Sequence, residues 1–127
     1  MTPERMLQLI RAKGEQVNAD GNMIEFSHEK IRLILIFDEN ADRMRIISPI
    51  TRIDDLKKGQ IEAAMSANFH SVLDARYCLN DDTVWSAFMH PLASLEDSLF
   101  LSAIDQVTFA NQTFGQDYQS GGLRFNG

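Results

Sequence analysis

Residues 31–37 read IRLILIF. Ile31, Leu33, Leu35 and Phe37 fall on one side of an extended chain, while Arg32, Ile34 and Ile36 leave the other side largely apolar too. A period of two with apolar residues on both sides predicts a central strand covered on both faces. Upstream, Met23–Ser27 alternates more weakly, with Ile24 and Phe26 opposed to Glu25. The preceding Asp20-Gly21-Asn22 suits a tight hairpin turn between short strands, because these residues accept a left-handed backbone. Downstream, residues 38–42 form a polar turn, and Arg43–Pro49 resumes the alternation with Met44 and Ile46 inward and Arg43 and Arg45 outward. Pro49 has no ladder donor and is expected to close that strand. The sum is a three-stranded antiparallel meander.

Helices bracket the meander. Thr2-Pro3-Glu4 offers a capping hydroxyl, a residue of fixed φ and an early acid ahead of Met6, Leu7, Leu9 and Ile10, and Gly14 follows Lys13 as a stop. A second helix is expected from Asp54 and Asp55 to about His70. On it Ile61, Met65, Phe69 and Val72 recur at helical spacing and should face the core. Beside them Gly59, Ala63, Ala64 and Ala67 form a stripe of small residues that another helix or sheet could approach closely. Asn80-Asp81-Asp82 then separates two strands, Ala75–Leu79 and Thr83–His90, which carry Tyr77 and Trp85, and Pro91 ends the second hairpin. Ser94 as N-cap, with Glu96 and Asp97 in the first turn, opens a third helix. Its apolar residues run around a wide arc from Leu95 to Phe114, including Phe100, Ile104 and Phe109 on the flank. Such an arc is buried from two directions. Residues 115–127, rich in Gly, Gln and Ser, are expected to be a flexible tail behind one domain spanning 1–114.

A chain of 127 residues with 44% hydrophobic and 24% charged residues has material for one core and should fold. Its net charge of −6 disfavours nucleic acid and anionic membrane as partners. The arginines at 43, 45 and 52 and the lysines at 57 and 58 alternate with Asp38, Glu39, Asp42, Asp54 and Asp55 and read as solvated, mixed-sign faces. The amino terminus lacks the apolar run of an export or membrane segment. With a single cysteine, Cys78, no internal disulfide is available, and a reducing cytoplasm is the expected setting.

Catalytic, cofactor and metal sites are all expected to be absent. Cys78 sits in an alternating strand, where a buried, inert thiol is the usual outcome. His28, His70 and His90 are isolated and show no metal-ligand spacing. The pairs Asp54-Asp55, Asp81-Asp82 and Glu96-Asp97 fall at helix starts or in a turn, where acids serve as caps. No glycine-rich phosphate loop occurs. Rapid reaction of Cys78 with a thiol reagent would instead favour a ligand-binding or enzymatic role.

The order α-β-β-β-α-β-β-α over residues 2–114 resembles the bacterial type III secretion chaperone-like fold, including its YbjN-like family. Residues 75–107, ARYCLNDDTVWSAFMHPLASLEDSLFLSAIDQV, carry the closest likeness, since a polar turn, a strand, a Pro-Leu step and a Leu-rich helix follow in that family's order. The resemblance implies an α+β domain, an antiparallel sheet with flanking helices, that acts as a homodimer. For secretion chaperones it also implies an extended segment of a client protein held over apolar grooves, and for the YbjN-like branch a regulatory or stress-related interaction. The expected client contacts are Met6, Leu7 and Ile10 of the first helix with Met44 and Ile46. The expected dimer contacts are Gly59, Ala63, Ala64 and Ala67.

Overall fold

The computed structural model describes residues 1–121. Helix α1 (Pro3–Lys13) begins where the sequence places its cap: the Thr2 hydroxyl accepts the Arg5 N–H at 3.1 Å and Pro3 takes the first turn. Gly14 ends it with an extended backbone, φ −105°, so a left-handed conformation is not the reason for glycine here. Space is the reason, because an added Cβ would meet the Phe26 ring at 2.9 Å and the Ser27 carbonyl at 3.1 Å.

Strands β1 (Glu15–Asp20), β2 (Met23–His28), β3 (Ile31–Asp38) and β4 (Arg43–Arg52) follow, then a 3₁₀ turn at Ile53–Asp55 and helix α2 (Gln60–His70). Strands β5 (Arg76–Asn80) and β6 (Thr83–Pro91) and helix α3 (Asp97–Thr113) complete the chain. One six-stranded sheet has the order β1-β2-β3-β4-β6-β5, and every neighbouring pair is antiparallel. The α+β class and the antiparallel sheet with helices stand, with four strands rather than three ahead of α2. The added strand, EQVNAD, is nearly all exposed and lies at the sheet edge, so it lacks the apolar alternation that reveals a strand in sequence.

Three further boundaries differ from expectation. Pro49 does not close β4: the strand shifts register between Pro49 and Thr51 and runs on to Arg52, and the irregularity accommodates the missing donor. Helix α2 starts at Gln60 rather than at Asp54, because Gly59 at φ +87° breaks the helical path. Helix α3 is preceded by Glu96 as N-cap, without a side-chain capping bond, and Ser94 lies outside it.

Residues paired in register share a face of the sheet. On one face Ile24, Phe26, Leu33, Leu35, Met44, Ile46 and Phe88 form the main core with Met6 and Ile10 of α1 and Phe100, Ala103, Ile104 and Val107 of α3. Full burial of each large side chain contributes about 1.5–3 kcal/mol. Polar ties fix α3 over the strands: Ser86 Oγ donates to the Val107 carbonyl at 2.9 Å, and Asn111 Nδ2 donates to Ser48 Oγ at 2.7 Å and the Pro49 carbonyl at 3.1 Å. A smaller cluster of Ala64, Ala67, Val72, Tyr77 and Ala110 seats α2 at the β5 end of the same face. Residues 115–121, the first part of the expected tail, make contacts with the domain. Ser71 Oγ donates to the Tyr118 carbonyl, the Ser120 N–H donates to the Ser71 carbonyl, and Tyr118 meets the rings of Tyr77 and Phe114. The remainder of the expected tail, residues 122–127, lies outside the described residues.

Candidate protein-binding surfaces

Helix α2 turns its bulky side outward. Ala64 and Ala67 are buried against Tyr77 and Ala110, whereas Ile61, Met65 and Phe69 are 39%, 65% and 72% exposed. This reverses the expected orientation of the helix. Tyr77 and Phe114, with ring centroids 5.5 Å apart, fill the space beneath α2 and leave room there for alanines alone. The spacing of four still places Ile61, Met65 and Phe69 on one stripe, but the stripe faces solvent. Exposed Leu79 of β5 continues it, and Ile61, Ala64, Met65, Tyr77, Leu79 and Phe114 help to line an apolar groove of about 230 Å³.

The outer edge of β5 is already occupied at its middle. Asn68 of α2 takes the Tyr77 N–H on Oδ1 at 2.7 Å and returns its amide to the Tyr77 carbonyl at 3.1 Å, as a neighbouring strand would. Tyr77 itself donates to the Ala110 carbonyl at 2.7 Å, and burial raises its phenol pKa well above the usual value, partly offset by a hydrogen bond with Thr113. The β1 edge, at the other end of the sheet, has no strand beside it among the described residues.

Among the described residues, the second face of the sheet carries no helix. Ile34, Ile47 and Ala87 line up across β3, β4 and β6, and Ile36, Arg45 and Met89 form the next row. None of these belongs to either core cluster. The expectation that β3 is covered on both faces therefore holds within this chain for one face. Trp85, paired with Pro49 and Cys78, sits on the open face, and its indole N–H is buried without an acceptor among the described residues. Arg43 and Arg45 are exposed there. Alternation sends both arginines to this face, where Asp38 is opposite Arg43, and Arg52 lies 3.9 Å from Asp54, so the mixed-sign reading holds in part.

The residues expected to touch a client are mostly structural. Met6, Ile10, Met44 and Ile46 are buried in the main core and cannot face a partner, and Leu7 is half-buried against the same core. Among the expected dimer contacts, Ala64 and Ala67 are consumed by packing within the chain, Ala63 is half-buried, and Gly59 is exposed as the N-cap of α2. The large apolar side chains that are exposed, among them Ile61, Met65, Phe69, Leu79 and Met89, were legible as apolar but not as outward-facing.

Potentially reactive side chains are dispersed. His28 Nε2 lies 3.1 Å from Asp105, which also holds Lys13 at 3.0 Å; His90 stacks on Phe88; and His70 meets the Phe69 ring. Burial pushes the Cys78 thiol up, partly offset by the positive charges of Arg45 and Arg76. A raised thiol pKa opposes nucleophilic use at neutral pH. Among the described residues, no three His, Cys, Asp or Glu side chains gather as a metal set, and no helix is long and apolar enough to cross a membrane.

This arrangement of sheet and helices matches solved structures. One chain of the ExsC–ExsE complex superposes with a TM-score of 0.65 at 16% identity, covering 90% of this chain and 97% of that one. A chain of the HopA1–SchA chaperone–effector complex gives 0.64 at 11% identity, covering 90% and 98%. The fold is chaperone-like. No family model and no curated protein matches the sequence, and the finer likeness to the YbjN-like family is not supported by these comparisons.

Proposed function

We propose that this chain is a non-catalytic, chaperone-like protein-binding module that pairs with itself and holds a segment of another protein. The exposed stripe Ile61–Met65–Phe69, continued by Leu79, carries the proposal, because a soluble domain that leaves four large apolar side chains together on its surface has a partner for them. The stripe itself bears no charge, so it can meet its own copy across a two-fold axis without repulsion. Self-pairing therefore moves from the buried alanines to the outer side of the same helix, with the β5–β6 hairpin beside it. Asn68 blunts the β5 edge, which leaves β1 as the edge where an extended partner segment can add main-chain hydrogen bonds. Likeness to a chain of a chaperone–effector complex supports this reading at the level of fold.

Capture of the protein from its native host, followed by light scattering and limited proteolysis of the complex, tests the proposal. The expected particle contains two copies of this chain and one partner, of which a continuous segment resists protease. A monomer with no bound protein would overturn it, and a folded regulator without a protected segment would favour the regulatory role.

A further inference from the structure

We propose that the open face of the sheet binds an acidic amphipathic helix of the partner. The inference rests on the partner-binding reading above and adds a chemistry to it. Ile34 and Ala87 are 8% and 3% exposed on a face that no helix among the described residues covers. Around this apolar row arginines outnumber carboxylates: Arg32, Arg43, Arg45 and Arg76 share the face with Glu25 and with Asp38, which is opposite Arg43. Arg43, Arg45 and Arg76 lie on the β4-β6-β5 half, and those strands place no carboxylate on that face. Glu25 on β2 is already held by Arg32 at 3.0 Å, and Asp38 accepts the Ala41 N–H in its own turn. Among the described residues, no carboxylate comes within ion-pair distance of Arg43 or Arg45. This occurs in a chain with 18 acidic and 12 basic residues, so the open face is a local inversion of the protein's overall charge.

The occupant follows from three constraints. A strand laid flat on a sheet face would leave its own N–H and C=O groups without partners, whereas a helix satisfies them internally. Two strand spacings of about 4.8 Å each equal the ~10 Å diameter of a helix, so one helix seats across β3, β4 and β6. A second copy of this chain is disfavoured by charge, because each copy would bring a face with a surplus of arginine to the other. Apolar side chains of the helix would meet Ile36, Ile47 and Met89, while flanking Asp or Glu residues reach Arg43 and Arg45. Two grooves that share Arg45, one with Trp85 and one with Arg43, lie along that path.

The single tryptophan, Trp85, stands on this face and reports on it directly. The test titrates the full-length protein with two synthetic helical peptides, each with leucines on one side, flanked by glutamates in one and lysines in the other. Trp85 fluorescence is followed, and self-association is monitored in the same samples by light scattering. The glutamate peptide is expected to bind at least about tenfold tighter than the lysine peptide, a ratio equivalent to ~1.4 kcal/mol. Its affinity should fall as salt shortens the screening length. The double variant Arg43→Glu/Arg45→Glu should invert the preference, and Arg43→Gln/Arg45→Gln, which adds no charge, should abolish it. Equal affinities, no binding of either peptide, or a preference unmoved by both variants overturns the inference. Because the α2 stripe is untouched by these variants, a rejected peptide alongside an intact dimer refutes this inference alone, whereas a monomer that captures no partner refutes the underlying reading.

Discussion

Two adjacent residues of α2 should respond in opposite ways to the same substitution. Ala64 is 6% exposed among Val72, Tyr77 and Ala110, so Ala64→Glu must either desolvate a carboxylate or push the helix off β5. Overpacking alone costs about 1–3 kcal/mol, and an unpaired buried polar group adds roughly 1–3 kcal/mol. A total of roughly 3 kcal/mol is a large part of the ~5–15 kcal/mol that holds a domain of this kind together. With a urea slope of about 1.5 kcal/mol/M, the midpoint should fall by ~2 M. Met65 is 65% exposed, so Met65→Glu should change the stability of the single chain by no more than about 0.5 kcal/mol. In a self-paired stripe the same change removes one apolar side chain from each copy, at about 1.5–3 kcal/mol per fully buried side chain, and weakens pairing by at least ~100-fold. Urea titration measures the first quantity and sedimentation velocity the second. Comparison across protein concentrations separates intrinsic stability from stability lent by association. Ala64→Glu with an unchanged midpoint would refute the packing argument. Met65→Glu with an unchanged dimer mass would refute the assignment of the pairing surface.

Three other outcomes are expected. Tyr77→Phe leaves the Ala110 carbonyl, in the last turn of α3, without its donor and should lower stability by about 1–2 kcal/mol, read as a shift in the urea midpoint. Cys78 should react more slowly with a thiol reagent in the folded protein than in urea, and Arg45→Gln should slow it further by removing a charge that favours the thiolate. A fast reaction in the folded state would contradict the placement of this thiol. The hydrogen bond and charge of Arg5 hold the Asp97 carboxyl below the usual carboxylate range. Its stabilising contribution is therefore present above the unfolded-state pKa of about 3.9 and is lost as pH falls through the lower folded-state value. Asp97→Asn should flatten the acid limb of the stability profile, measured by circular dichroism between pH about 5 and 2.

The fold was legible where local signals agree. The IRLILIF strand, the turns at Gly21 and Asp81 with φ of 59° and 53°, the Thr2 cap and the breadth of the apolar arc on α3 all arise within a few residues of chain. Edge strand β1 was signalled by its turn at Gly21 but left out of the strand count because it buries almost nothing, and the continuation of β4 past Pro49 escaped because the bulge that tolerates proline is set by pairing with β6. The binding surfaces were less legible. Met44 and Ile46 were placed on the inward face of their strand, but inward proved to mean the core of this chain, leaving nothing for a partner.

Local sequence set most of the order of helices and strands, the antiparallel character of the sheet and the amphipathic stripes, because periodicity, caps and turns are properties of neighbours in the chain. Tertiary structure decided which stripe faces water. Whether α2 shows alanines or Met65 and Phe69 to solvent depends on Tyr77 and Phe114, and whether Ile34 is covered depends on all three helices lying on the same face of the sheet. Those choices are made by contacts between residues tens of positions apart, and no local pattern encodes them.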